Sequence, residues 1–148
     1  YNVIKNEAVA IINHKFLDDI RKEPPKLTGI ESRLELIESS LNITNNMLKA
    51  GIETTDLVYP LMMRLNEIVL IEHFFSDKKY STQSFKKEVI SQGVSPKEFH
   101  FLMAVYRATR DSKKVPIYQI SNDLIVKLIS ILEMKIQHVR QKTYKKRH

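Results

Sequence analysis

The sequence predicts an all-α fold, a five- or six-helix bundle around one central apolar helix at about residues 57–75. Three observations carry the prediction. Apolar residues recur at steps of three and four through nearly the whole chain, which is the interval of one helix face. Prolines, glycines and Ser/Thr caps fall between those runs, where helices begin and end. No segment of useful length alternates apolar and polar residues as a half-buried strand does. The length of 148 residues suits one domain, expected to span 1–140 with 141–148 as a basic C-terminal tail.

Taken in order, the first predicted helix uses Ile4, Ala8, Ile11, Ile12, Phe16 and Ile20 as its inner stripe, and Pro24 and Pro25 stop it because proline lacks an amide proton and displaces its predecessor from helical angles. The second opens on Thr28 with Glu31 three residues later, a capping box, and carries Ile30, Leu34, Ile37, Leu41, Thr44 and Leu48 to a stop at Gly51. The third, from Leu57 or Pro60 to Phe75, is apolar nearly all round and therefore belongs at the centre. It is not read as a membrane span. Arg64, Glu67 and Glu72 lie inside it, each costing about 2.5–3.5 kcal/mol near a bilayer centre. A shorter helix from about Thr82 to Gln92 turns Phe85, Val89 and Ile90 inward before Gly93. Ser95, Pro96 and Glu98 then occupy N-cap, N1 and N3 of a fifth helix reaching about Arg110. After a loop with a short extended piece through Val115, Ile117 and Ile120, Ser121 caps a long sixth helix built on Leu124, Leu128, Ile131, Leu132, Ile136 and Val139.

Composition narrows the function classes. With 43% apolar and 28% charged residues the chain can bury a core, so disorder is excluded. The absence of cysteine excludes disulfide scaffolds and thiolate-held metals, and fits a reducing, cytoplasmic setting. Only Gly29, Gly51 and Gly93 are glycines, too few for a dinucleotide fingerprint, a phosphate-binding loop or a nucleophile elbow. Of the five histidines no two stand four apart, as a zinc-gripping helix face needs. His14 and Asp18 have that spacing but lack a third ligand, so they read as solvated side chains. No cofactor, metal or catalytic residue is expected.

Charge is the stronger signal. Residues 1–77 hold 8 basic and 12 acidic side chains, net −4, whereas residues 78–148 hold 16 basic and 5 acidic, net +11. A polyanion would be drawn to the second half and a protein partner to the acidic first half. Arg64, inside the apolar helix, needs an anion: Glu67 at i+3, Glu72 across a neighbouring element, or a phosphate or carboxylate in a cleft. The predicted helix 82–92, the Gly93 turn and the next helix can also be read as a helix-turn-helix, although Glu88 and Gln92 stand where packing residues belong. Arg107 and Arg110, at i and i+3 near Lys113 and Lys114, either suit the negative end of their helix or clamp a phosphate.

Phe74 and Phe75, then Lys79, Tyr80 and Ser81, then Gly93, Val94, Ser95, Glu98 and Phe99, and finally Tyr106, Arg107, Arg110 and Asp111 give residues 57–135 a resemblance to the HEPN-like helical C-terminal domains of archaeal nucleotidyltransferases. The ribonucleases of that class carry an Arg followed after four to six residues by His, a pair this chain lacks, and the catalytic nucleotidyltransferase motif is absent too. The resemblance therefore implies a supporting domain rather than an enzyme.

The expected function is a non-catalytic accessory domain or subunit of a nucleotide-polymerising or nucleic-acid-processing enzyme, nucleotidyltransferase or primase-like. Its contacts to nucleic acid or nucleotide phosphates are expected from Arg64, Lys78, Lys79, Lys86, Lys87, Arg107, Arg110, Lys113, Lys114, Arg140, Lys145, Lys146 and Arg147. A catalytic protein partner, or a domain preceding Tyr1, is the expected associate, and no membrane is. The alternatives are a helix-turn-helix DNA-binding protein and a structural protein–protein adaptor. An enzyme would need a cleft joining Arg64, His73 and a carboxylate.

Overall fold

The computed structural model describes residues 27–116 and 119–147. The helix expected at Val3–Ile20, its Pro24–Pro25 stop, the His14–Asp18 pair, Ile117 and the side chain of Arg147 lie outside the described residues. Among those described the elements are five helices and no strand: α1 (Leu27–Lys49), α2 (Thr54–Phe75), α3 (Thr82–Ser91), α4 (Pro96–Arg110) and α5 (Asn122–Arg147).

The 22-residue α2 is the hub, packing against each of the other four helices. Its buried residues run right round its circumference: Leu57, Val58, Leu61, Met62, Leu65, Ile68, Val69, Leu70 and Ile71, with Glu67 the one charged member. An all-apolar helix is stable in water only when surrounded. One continuous core joins α2 to Ile30, Leu34 and Ile37 of α1, Phe85 and Val89 of α3, Phe99 and Leu102 of α4, and Leu128, Leu132 and Val139 of α5.

Three boundaries and one cap differ from expectation. α1 is already helical at Leu27, so Thr28 lies within the helix instead of capping it. α2 begins at Thr54, ahead of Leu57, and tolerates Pro60 in its second turn. The carbonyl that Pro60 leaves without its helical donor belongs to exposed Asp56, where water can serve it. Thr54 also ties that end down, its hydroxyl donating to the Ile120 carbonyl at 2.6 Å. α3 starts on an unforeseen cap in which the Ser84 amide donates to Ser81 Oγ at 3.0 Å and the Ser81 amide donates to Ser84 Oγ at 2.8 Å. Finally, α5 runs through 141–147, so the expected tail is helix. Thr143 explains it: four residues after buried Val139, it extends the inner stripe at 2% exposure and donates to the Val139 carbonyl at 2.9 Å.

The other signals act as read. The Ser95–Glu98 box closes in both directions, at 3.1 and 2.9 Å, and the Leu124 amide donates to Ser121 Oγ at 3.1 Å. Gly51 and Gly93 take φ of +83° and +103° after α1 and α3, where only glycine is unstrained. After α2 and α4 the same position is filled by Asp77 and Ser112, at φ of 53° and 54°.

Candidate functional site

Three helices bring their polar residues to one place. Lys135 occupies a core position of α5 and is 2% exposed, so its ammonium has to be answered inside the protein. Its Nζ donates to Glu72 Oε1 of α2 at 2.5 Å and to Glu88 Oε1 of α3 at 2.8 Å. His138, one turn further along α5, places Nδ1 3.2 Å from Glu72 Oε2. The Lys135 hydrogen bond is the main reason the Glu88 carboxyl titrates below its ordinary range; the charge of Lys135 and the Gln92 amide at 3.4 Å act in the same direction against a smaller effect of burial.

His73 stands beside this triad. Its Nδ1 lies 2.9 Å from the Val69 carbonyl, which can only accept, so Nδ1 carries the proton and Nε2 faces elsewhere. Tyr80 holds the imidazole edge-on, with centroids 5.9 Å apart, and is itself fixed by a hydrogen bond from its hydroxyl to Asn66 Oδ1. Burial, helped by Tyr106, pushes the Tyr80 phenol up to about 12.

Two openings meet at Glu72, Glu88 and His138. A cleft of about 700 Å³ extends along α5 past Gln92, Ser130, Met134 and Gln141. A recess of about 180 Å³ lies at the end of α2, between His73, Ser76, Lys78, His138 and Lys142. Lys142 Nζ donates to Ser76 Oγ at 3.3 Å, so its ammonium is turned inward.

The twelve expected phosphate ligands whose side chains are described do not converge on this site. Lys78 alone of them lines it. Arg64 meets the first of the partners the sequence offered: its Nη1 donates to Glu67 Oε2 at 3.0 Å, Arg33 of α1 meets the other carboxylate oxygen at 3.3 Å, and Glu67 is 4% exposed beneath them. The i+3 partner is the one realised, because Glu67 sits on the α1 side of α2 where a second arginine helps neutralise it. Arg64 lines neither of these two openings, so neither joins it to His73. Arg110 pairs with Asp111 at 3.0 Å and lies over the Tyr106 ring; Arg140 pairs with Glu38 of α1. Arg140 and Lys145 line a separate groove of about 570 Å³ with Glu31, Glu35 and Tyr144. Lys146 covers the Phe75 ring, 4.9 Å from its centroid. Lys78, Lys79, Lys87, Arg107, Lys113 and Lys114 are exposed, Lys86 is half-buried, and none of the seven makes an ion pair among the described residues.

Sequence reasoning missed Lys135, His138 and Lys142. Their spacing of i, i+3 and i+7 puts them on one stripe of a helix, and Lys135 interrupts the apolar series Ile131, Leu132, Ile136 and Val139. The helix-turn-helix reading fares differently. Glu88 accepts from Lys135 and from the Gln92 amide, and α4 buries Phe99, Leu102, Val105 and Ala108 along its length.

Among the described residues no helix is long and apolar enough to cross a membrane, and no three His, Asp or Glu side chains are grouped to hold a metal ion. Comparison with protein-family models, curated proteins and solved structures finds no match for the chain.

Proposed function

We propose that this chain is a non-catalytic helical accessory domain or subunit of an enzyme that polymerises nucleotides or processes nucleic acid, nucleotidyltransferase or primase-like, and that it contributes phosphate contacts through its basic second half. One observation supports this reading above the others. Among the described residues Lys78, Lys79, Lys86, Lys87, Arg107, Lys113 and Lys114 form no ion pair with a carboxylate, so the described part of the fold leaves their charge uncancelled. Cations kept in solvent create the potential that attracts a polyanion and releases its counterions. The acidic first half of the chain is the side offered to the catalytic protein.

The test is binding of a labelled oligonucleotide measured against salt. Affinity is expected to fall steeply between about 50 and 200 mM, and replacing Arg107, Lys113 and Lys114 together by Ala to flatten the slope of log K against log salt by about 0.9 per lost duplex phosphate contact. Salt-independent binding, or none at 50 mM, rejects the proposal. A strong preference among duplex sequences would instead favour a DNA-reading regulator, and capture of a protein partner with no nucleic-acid requirement an adaptor.

A further inference from the structure

We infer that the recess between His73, Ser76, Lys78, His138 and Lys142 binds a phosphomonoester: the basic half takes hold of a terminal phosphate as well as internal phosphodiesters. The inference rests on the polyanion reading above and gives it a specific ligand.

Size is the first reason. Pockets for whole small molecules run to about 300–1,000 Å³, so a recess of about 180 Å³ has room for a phosphate and not for the nucleoside attached to it. The adjoining cleft of about 700 Å³ shares Glu72, Glu88 and His138 with the recess and leaves space for that remainder.

Charge is the second. Glu72 and Glu88 also border the recess, but each has one carboxylate oxygen on Lys135 Nζ, at 2.5 and 2.8 Å, and the three charges sum to −1. Lys78 and Lys142 bring the recess to +1 before either imidazole is protonated, and two protonated imidazoles bring it to +3. The carbonyls at the end of α2, which would repel an anion, are already bonded: Glu72, His73 and Phe74 accept from the amides of Ser76, Lys78 and Asp77 at 3.1, 2.9 and 3.3 Å.

The third reason separates a monoester from a diester. His73 and His138 each commit Nδ1–H to an acceptor, Val69 O at 2.9 Å and Glu72 Oε2 at 3.2 Å, which leaves both Nε2 atoms to exchange a proton with a ligand. A phosphomonoester carries a titratable proton of its own, with a second pKa of about 6, and an Nε2 atom can share that proton in a hydrogen bond. A phosphodiester has no such proton. Lys142, Lys78 and the Ser76 hydroxyl supply the remaining donors to the three terminal oxygens.

The experiment compares two single strands of identical sequence, one 5′-phosphorylated and one 5′-hydroxyl, by fluorescence anisotropy with the full chain at fixed salt. The phosphorylated strand is expected to bind about tenfold tighter, with the preference larger at pH 6 than at pH 8. Lys142→Met and Ser76→Ala should each reduce the preference while leaving the hydroxyl-ended strand bound as before, and Lys113→Met with Lys114→Met should weaken both strands alike. Competition by a mononucleotide that abolishes the preference identifies a free nucleotide as a ligand; a preference that resists it identifies a strand end; both support the phosphomonoester site. Equal binding of the two strands, with salt dependence intact, overturns the site and leaves the polyanion reading standing. If neither strand binds at low salt the polyanion reading fails, and the site is then decided by the imidazole NMR signals: movement of both His73 and His138 on adding mononucleotide retains it, and unmoved signals overturn it.

Discussion

Lys135→Met is the sharpest test of the polar triad. Met approximates the stem of Lys135, so packing against the α5 core is largely kept while the ammonium is lost. Glu72 and Glu88 then face one another without the cation both now touch, at 2.5 and 2.8 Å. Removing one partner of a buried ion pair costs about 3–5 kcal/mol. The side chain of Glu72 is 14% exposed and supports the full range, whereas that of Glu88 is 33% exposed and water recovers part of its share. A loss of about 3 kcal/mol at pH 7 is therefore expected in urea denaturation. The pH dependence should also reverse. In the native protein Glu88 titrates below its ordinary value of 4.5, so its contribution is present above pH 4.5 and is lost as pH falls below it. In the variant, desolvation and mutual repulsion push both carboxyls up, and acidification toward pH 5 should stabilise it. Adding Glu72→Gln and Glu88→Gln should recover most of the loss. A cost under about 1 kcal/mol, or a variant that loses stability from pH 7 to pH 5 in parallel with the parent, would show that the triad is not the clasp described.

Three other outcomes follow from single residues. Tyr80, with its phenol near 12 when folded and 10 when unfolded, leaves stability undiminished below pH 10 and removes about 2 kcal/mol between pH 10 and 12; Tyr80→Phe should flatten that alkaline limb in urea melts. Asp77→Gly and Ser112→Gly should each raise stability by up to about 1 kcal/mol by relieving left-handed backbone at φ of 53° and 54°, read as a higher denaturation midpoint, and Ser112 should gain more because aspartate tolerates that region better. Glu67→Leu should cost about 3 kcal/mol by leaving Arg64 and Arg33 without their shared anion, and Arg64→Met in that background should return part of it.

How much of this was legible in the sequence follows from what kind of signal each feature has. The α2 core needed only apolar residues on every side, and the caps at Ser95 and Ser121 needed only residue types at fixed offsets; both are local and were readable. The cluster on Lys135 is not local. Its partners lie 63 and 47 residues away, and nothing in the spacing of a lysine says which carboxylate folding will deliver to it. The reading of 141–148 as a basic tail did not foresee that 141–147 is helical, for a related reason: a run of Lys142, Lys145, Lys146 and Arg147 looks solvated by composition, and only the i+4 step from Val139 to Thr143 shows the inner stripe continuing beneath it. Arg64 was open between three partners because a guanidinium in an apolar helix states a need without stating its answer.

The fate of the acids bears most on the polyanion reading. The basic half has five carboxylates to set against sixteen cations, and four of the five have local structural work. Glu88 answers Lys135 and Glu98 caps α4 through the Ser95 amide. Asp111 pairs with Arg110 at the end of α4, and Asp123 sits in the first turn of α5, where the helix dipole favours it. From the acidic half, Glu38 meets Arg140, Glu67 meets Arg33 and Arg64, and Glu72 meets Lys135. These pairs answer Arg33, Arg64, Arg110, Arg140 and the one buried lysine among the described residues. Among the described residues the exposed lysines at 78, 79, 87, 113 and 114 are left outside that accounting, and their positive charge stays at the surface.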